Sequence, residues 1–406
     1  MSNILLINHY GSTPATGIIG WRHHYFAREL ARMGHNVTLV TARRHHSLRE
    51  DVDTDKLPSE EITDGYRLIR IDLPKYAHAH DKRRILAWLV FTAKLPGLRR
   101  RLEAVPYVVF YSSAPLPGFL GAERLARACD ARLVFEVRDI WPLTLIEIGG
   151  YSPRHPFIRF LQWIEDRAYA RADRVVSNLE GAVEHMASRG MDRGKFTWVS
   201  NGIAVDQVES PEPLPPEVAA QIPTDGLRIV YTGTLGTANT LDTLIEAAAL
   251  LRDLPDVHIL LVGQGRARAD LEARCDALGL TNVRFLGPVP KPQVQSVLAA
   301  CDVCYIGWLK SPLYRWGIAA NKIPDYLFSG KPILHGFSGG NDPVSKFDAG
   351  LTVPAEDAEA LAAAIRRIHA MPEDERRRMG ENGRRAALAH YDYAQLARRL
   401  EQVLTG

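Results

Sequence analysis

The strongest constraint on this chain is an alternation of short apolar runs with amphipathic stretches, broken once and then resumed. Residues 4–7 are apolar at every position, residues 25–33 place Phe26, Leu30 and Met33 on one helical face, and residues 37–40 are apolar again after Gly34 and His35. A strand that is apolar on both faces must be covered on both, and parallel neighbours need a crossover element, so the segment reads as a βαβ unit. Apolar runs at 68–71, 107–111, 133–137, 175–177 and 197–200 continue the pattern. They predict a mostly parallel sheet with helices on both faces.

Between residues 208 and 226, Pro211, Pro213, Pro215, Pro216 and Pro223 interrupt any helix or central strand. This stretch is read as a linker between an N-terminal domain, residues 1–207, and a C-terminal domain, residues 227–390. In the second domain, runs at 228–232, 258–262, 283–286, 303–306 and 332–334 alternate with helical stretches such as 240–251 and 267–278. The last segment, 391–406, is expected to form a helix that packs back on the first domain. The predicted fold is α/β, with two Rossmann-like doubly wound domains facing a central cleft and ligands at the carboxyl ends of the strands.

Composition narrows the classes. With 406 residues, 46% hydrophobic and 24% charged, the chain is globular rather than disordered. Lys and Arg total 50 against 47 Asp and Glu, and the net charge of +3 offers no global attraction to nucleic acid, so no such partner is expected. Cys129, Cys275, Cys301 and Cys304 are too few and too scattered for a disulfide framework. The start lacks the pattern of a signal peptide, and no apolar run reaches the roughly 18 residues of a membrane span. Cytoplasm is the expected compartment. Cys301 and Cys304 lack a second ligand pair at zinc spacing, and His23-His24 and His45-His46 lack a partner at a defined spacing. Asp51-Val52-Asp53 lies in a polar stretch rather than after a buried strand. Neither a metal nor a cofactor is expected.

Three loops follow strands and carry small residues. The first, 8–20, includes Gly11, Gly17 and Gly20, without the Gly-x-Gly-x-x-Gly spacing of a dinucleotide site. Gly263-Gln264-Gly265 has Arg268 where a third Gly or Ala would close that pattern, which makes it weak evidence for NAD. Tyr231 to Asn239 brings Gly233, Thr234, Gly236 and Asn239 before a helix, where backbone N–H groups can approach a phosphate.

The densest segment runs from Tyr314 to Pro332 and contains Arg315, Gly317, Ile318, Asn321, Lys322, Asp325, Gly330, Lys331 and Pro332. It resembles the donor-binding signature of family 4 glycosyltransferases with the GT-B fold, in particular a bacterial fucosamine-type branch of surface-polysaccharide synthesis that reads roughly G-x-x-x-N-K-x-x-E-Y-x-x-x-G-K-P. Glu136 to Pro142 is similar to that branch's D-x-W-P segment, Ser200-Asn201-Gly202-Ile203 to its N-G turn, and Phe285-Leu286-Gly287 to its F-x-G segment. The resemblance extends over nearly the whole chain.

It implies a retaining transferase that moves a sugar from a nucleotide-diphosphate donor, UDP-linked by preference, to a lipid-linked glycan. Lys322 and Asp139 are the implied catalytic residues, with Glu147 a weaker acid from the same loop as Asp139. The implied donor contacts are Gly17, Gly233, Thr234, Gly236, Asn239, Gly287, Val289, Arg315, Ile318, Asn321 and Asp325. The wider family places two glutamates eight positions apart, whereas here Gly317 and Asp325 hold those positions. Asp325 keeps a carboxylate for ribose hydroxyls. A nucleotide-sugar epimerase, an NAD-dependent oxidoreductase and a non-catalytic nucleotide-sugar binder are the alternatives.

From residue 82 to 101 the chain carries Lys82, Arg83, Arg84, Lys94, Arg99, Arg100 and Arg101 around an apolar stretch with Trp88 and Phe91. Such a segment suits an anionic bilayer surface, which would make the protein peripheral at the inner face of the membrane. A buried helix with solvated charged ends fits the same residues.

Overall fold

The computed structural model describes residues 1–17, 21–76 and 81–406. Ile18, Ile19 and Gly20, the end of the first loop discussed above, lie outside the described residues. The chain divides into two compact units, Met1–Ser200 together with Tyr393–Gly406, and Asn201–Asp392.

In the N-terminal unit eight strands form one sheet in the order β3-β4-β2-β1-β5-β6-β7-β8. These are β1 (Asn3–Asn8), β2 (Asn36–Ala42), β3 (Glu60–Thr63), β4 (Tyr66–Ile71), β5 (Val108–Ser112), β6 (Arg132–Val137), β7 (Arg174–Ser177) and β8 (Phe196–Trp198). All pairs are parallel except β3 with β4. In β1, Ile4 to Ile7 are almost fully buried, because helices cover both faces. The order reverses between β1 and β5, and a crevice opens at the carboxyl ends of strands at such a point.

The C-terminal unit holds a six-stranded parallel sheet in the order β11-β10-β9-β12-β13-β14. Its strands are β9 (Leu227–Thr232), β10 (Val257–Val262), β11 (Val283–Leu286), β12 (Val303–Gly307), β13 (Ile333–Gly336) and β14 (Gly350–Val353). Its reversal falls between β9 and β12. Ile229, Tyr231, Ile259 and Leu261 pack beneath the helices Leu241–Ala249 and Ala358–Ala370. Each such fully buried apolar side chain contributes about 1.5–3 kcal/mol to holding the layers together.

The change of unit falls at Ser200 and Asn201, upstream of the proline-rich stretch. Residues 208–226 belong wholly to the C-terminal unit: the Glu212 N–H donates to Pro292 O at 3.1 Å, and Ser296 Oγ donates to Glu212 O at 2.6 Å. Proline removes a donor but leaves its carbonyl, so a Pro-rich segment can be seated through neighbouring groups and need not hang free. The helix Tyr393–Thr405 belongs to the N-terminal unit, where the Tyr393 ring stacks on Tyr25 at 4.7 Å and Glu401 pairs with His35 at 2.7 Å.

Candidate active site

The site in the C-terminal unit begins at the carboxyl end of β9. Gly233 and Gly263 have φ of +134° and +149°, and a Cβ on Gly263 would lie 1.9 Å from Gly233 O. The loops after β9 and β10 therefore lie backbone to backbone, joined by Gly233 N–H to Val262 O at 2.9 Å and Leu235 N–H to Gln264 O at 2.9 Å. Gly263 and Gly265 serve this close approach, which accounts for them without a dinucleotide. Gly233 and Thr234 are left exposed at the rim.

Lys322 opens the helix Lys322–Phe328 and extends across this rim. Its Nζ lies 3.4 Å from Asn239 Oδ1 and 5.0 Å from the Tyr231 ring centre, while Asn239 Nδ2 donates to Thr234 O at 3.0 Å. A Cβ at Gly233 would come within 2.4 Å of Lys322 Cε, so glycine there makes room for the lysine stem. Burial brings the Lys322 ammonium down to about 8, against the opposing influence of Asp325. This is a partly desolvated cation beside a loop with exposed backbone, an arrangement suited to an anionic ligand.

Asp325, one turn along the same helix, is buried. Both of its carboxylate oxygens accept from Lys291 Nζ, Oδ1 at 2.6 Å, and its carbonyl accepts from Gln295 Nε2 at 3.1 Å. Lys291 was not among the residues expected from the sequence, since a Lys before Pro in a polar loop carries no signal of its own. It follows Gly287 and Val289 on the loop after β11. The segment leading to Asn321 is held by Asn201, whose Nδ2 donates to Ala319 O at 2.6 Å. Ile318 is half-buried and Asn321 exposed. Gly317 has φ of +95°, a conformation that disfavours any other L residue, so the missing first glutamate is tied to the backbone here. Arg315 sits on an exposed turn, where Nη1 donates to Pro312 O at 2.9 Å and the guanidinium lies 4.8 Å from the Trp316 ring centre.

The N-terminal unit has its own polar centre at the carboxyl ends of its strands. Glu136, at the end of β6, is fully buried; Oε1 accepts from Arg22 Nε and Nη2 at 2.9 and 2.8 Å, and Oε2 from His23 Nε2 at 2.8 Å and Ser112 Oγ at 2.6 Å. Burial alone would raise the Glu136 carboxyl, but the Arg22 guanidinium and then His23 hold it well below the usual carboxylate range. Arg22 also donates to Val199 O at 2.6 Å and to Ser200 O. Asp139, three residues beyond Glu136, is exposed on a bend, and Glu147 ends the short helix Leu143–Glu147. Gly17 is buried, and its carbonyl accepts from Trp21 Nε1 at 3.2 Å.

The structure thus brings together Gly233, Thr234, Asn239, Lys322 and Asp325 in one unit, while Gly17 and Asp139 belong to the other. Residues 19–202 match the family described as glycosyl transferase 4-like domain, and residues 226–371 match glycosyl transferases group 1. The chain is a family 4-type glycosyltransferase. It is 24% identical over 333 residues to 2-deoxystreptamine glucosyltransferase of Streptomyces kanamyceticus, a match covering 69% of this chain and 84% of that one. Sucrose-phosphate synthase of Thermosynechococcus elongatus has a similar structure, with a TM-score of 0.74 at 20% identity over 99% of this chain and 98% of the other. Anabaena HepE in complex with UDP and glucose gives a TM-score of 0.67 at 16% identity over 100% of both chains. The fold of the glycosyltransferase is GT-B.

The basic stretch of the glycosyltransferase divides between packing and surface. In the helix Arg83–Lys94, Ala87, Trp88 and Phe91 are buried, whereas Ile85, Leu86 and Leu89 are 41%, 53% and 49% exposed. Arg101 pairs with Glu60, with Nε to Oε1 at 3.0 Å, and Lys94 Nζ donates to Asp72 O at 2.8 Å, so both are structural as well as charged. Lys82, Arg83, Arg99 and Arg100 remain exposed. Among the described residues, no helix is long and apolar enough to cross a membrane, and no three His, Cys, Asp or Glu side chains form a metal-sized group.

Proposed function

We propose that this glycosyltransferase moves a sugar, with retention, from a nucleoside-diphosphate donor to a glycan hydroxyl, and that the donor is a UDP-sugar. The observation that carries this reading is the Lys322 ammonium set between Asn239 and the Gly233 loop. A diphosphate leaving there gains negative charge as the glycosidic bond breaks, and a preorganised cation stabilises that charge more than it stabilises the ground state. The acceptor oxygen bonds to the anomeric carbon, the bond to the phosphate oxygen breaks, and the departing phosphate takes the acceptor proton. Asp139 orients the acceptor. The glucosyltransferase name of the relative and the UDP and glucose in the HepE structure support the donor class. No metal takes part in this reading.

The test is a panel of UDP-, GDP- and ADP-sugars with lipid-linked and soluble acceptors, products being read by mass spectrometry and anomeric NMR. Acceptor-dependent UDP release with an α-product from an α-donor is expected, unchanged by a chelator. Turnover of NADH, or binding of a nucleotide sugar without transfer to any acceptor, would overturn it in favour of an oxidoreductase or a binding protein.

For the acceptor we favour a lipid-linked precursor of surface polysaccharide, met at the inner face of the membrane. The exposed Ile85, Leu86 and Leu89 flanked by Lys82, Arg83, Arg99 and Arg100 support it. Cosedimentation with phosphatidylglycerol vesicles is expected to fall as salt shortens the reach of surface charge to about 8 Å. An R99S/R100S variant should bind several-fold less while turning over a short soluble acceptor normally; Arg101 is left intact because of Glu60. No sedimentation of wild type at low salt would remove this acceptor assignment.

A further inference from the structure

Asp325 and Lys291 form a pair whose geometry says more than the presence of a carboxylate. Asp325 is 7% exposed, and both of its oxygens are gripped by one ammonium. An ammonium bound to both oxygens fixes the plane of the carboxylate, and each oxygen keeps a further lone-pair direction. A carboxylate held in this way can accept from two neighbouring hydroxyls at a defined spacing. The partners come from different elements: Lys291 opens the turn that ends the loop carrying Gly287 and Val289, Gln295 lies in the helix Val294–Ala299 that follows, and Asp325 lies in the helix begun by Lys322. The Gln295 bond to the Asp325 carbonyl fixes the backbone of the same residue whose side chain Lys291 fixes. Asp325 is thus held at two points, through its side chain and through its backbone.

We propose that Lys291 is a positioning residue that orients Asp325 to accept from the 2′- and 3′-hydroxyls of a ribose, so that this chain discriminates ribo- from 2′-deoxyribonucleoside diphosphates through the pair. The proposal rests on the nucleotide-donor reading above and adds the residue that sets its sugar selectivity. A lysine that merely ties two surface elements together would affect stability and bind both nucleotides more weakly by the same factor. A lysine that orients the diol acceptor changes the ratio between them. Losing one hydrogen bond to a charged acceptor is expected to separate UDP from 2′-deoxy-UDP by about tenfold or more in the wild type.

The experiment is calorimetry of the full chain with UDP and with 2′-deoxy-UDP, for wild type, Lys291→Met and Lys291→Arg, with thermal melts to show that each variant is folded. Lys291→Met is expected to reduce the preference for UDP to less than about threefold, and Lys291→Arg, which keeps a bidentate donor, to retain most of it. Should Lys291→Met not fold, Lys291→Gln, which is shorter and neutral but keeps an N–H donor, is expected to give an intermediate ratio. An unchanged ratio in a folded variant, or equal affinity of wild type for the two nucleotides, overturns the proposal alone. Failure of wild type to bind UDP, GDP or ADP overturns the donor reading itself, and the selectivity with it.

Discussion

Arg22→Met is expected to lower the unfolding free energy of the N-terminal unit by about 3–5 kcal/mol at neutral pH, because it leaves the fully buried Glu136 carboxylate without its main counter-charge. The methionine fills much of the space, so lost packing over the Phe26 ring is the smaller part. The pH dependence gives the sign. In wild type the Glu136 carboxyl is held well below its unfolded value, so its contribution is present above the unfolded pKa and is lost as pH falls through the folded one. In the variant, burial is opposed only by His23, Ser112 and the Arg138 charge, and the same group rises relative to wild type. The folded state then binds the extra proton, and the deficit should be largest near pH 7 and shrink toward pH 4. Urea unfolding of both proteins across that range measures it. Removing both partners, as in Arg22→Met with Glu136→Leu, is expected to restore part of the loss, since a buried pair is costly mainly when broken on one side. A single variant as stable as wild type at pH 7 would show that His23, Ser112 and the Arg138 charge suffice for the carboxylate.

The same residues show what a sequence makes legible. Strands apolar on both faces, such as Ile4 to Ile7 in β1 and Ile259 to Val262 in β10, announce themselves because no position needs water. The edge strand β3 does not: Glu60-Glu61-Ile62-Thr63 has no apolar run, and its place is secured by Arg67 and Arg70, which pair with those glutamates after the turn. The Pro-rich stretch marks irregular chain, but irregular chain and a change of unit are different things, and only hydrogen bonds such as Glu212 to Pro292 reveal which unit holds it. At the site, the run from Gly317 to Pro332 is legible as a motif because its residues are contiguous. The partners that give it meaning are not: Asn239 is 83 residues from Lys322, Lys291 is 34 from Asp325, and Arg22 is 114 from Glu136. A glycine at 317 reads as a lost glutamate in the sequence, whereas its φ of +95° makes it a conformational requirement.

Lys322→Ala is expected to reduce kcat/KM for the donor by about 10²-fold or more, equivalent to roughly 3 kcal/mol, if the ammonium stabilises the leaving diphosphate. Its environment adds a pH signature that an ordinary surface lysine lacks. Burial lowers the free-enzyme value to about 8, so kcat/KM should fall with an apparent pKa near 8 as the ammonium is lost. A bound diphosphate favours the charged form, and the alkaline limb of kcat should therefore lie at higher pH than that of kcat/KM. Lys322→Arg keeps its charge throughout this range and should abolish the limb, even if its bulkier head beside Gly233 lowers the plateau. Stability moves the other way. Between pH 8 and the unfolded value near 10.4 the unfolded chain binds more protons at this residue, so its contribution makes the protein more stable as pH rises, while transfer is being lost. A folded Lys322→Ala enzyme with wild-type kcat/KM, or a wild-type profile flat from pH 7 to 9.5, would place the diphosphate elsewhere and leave Lys322 as a lysine stem packed over Gly233.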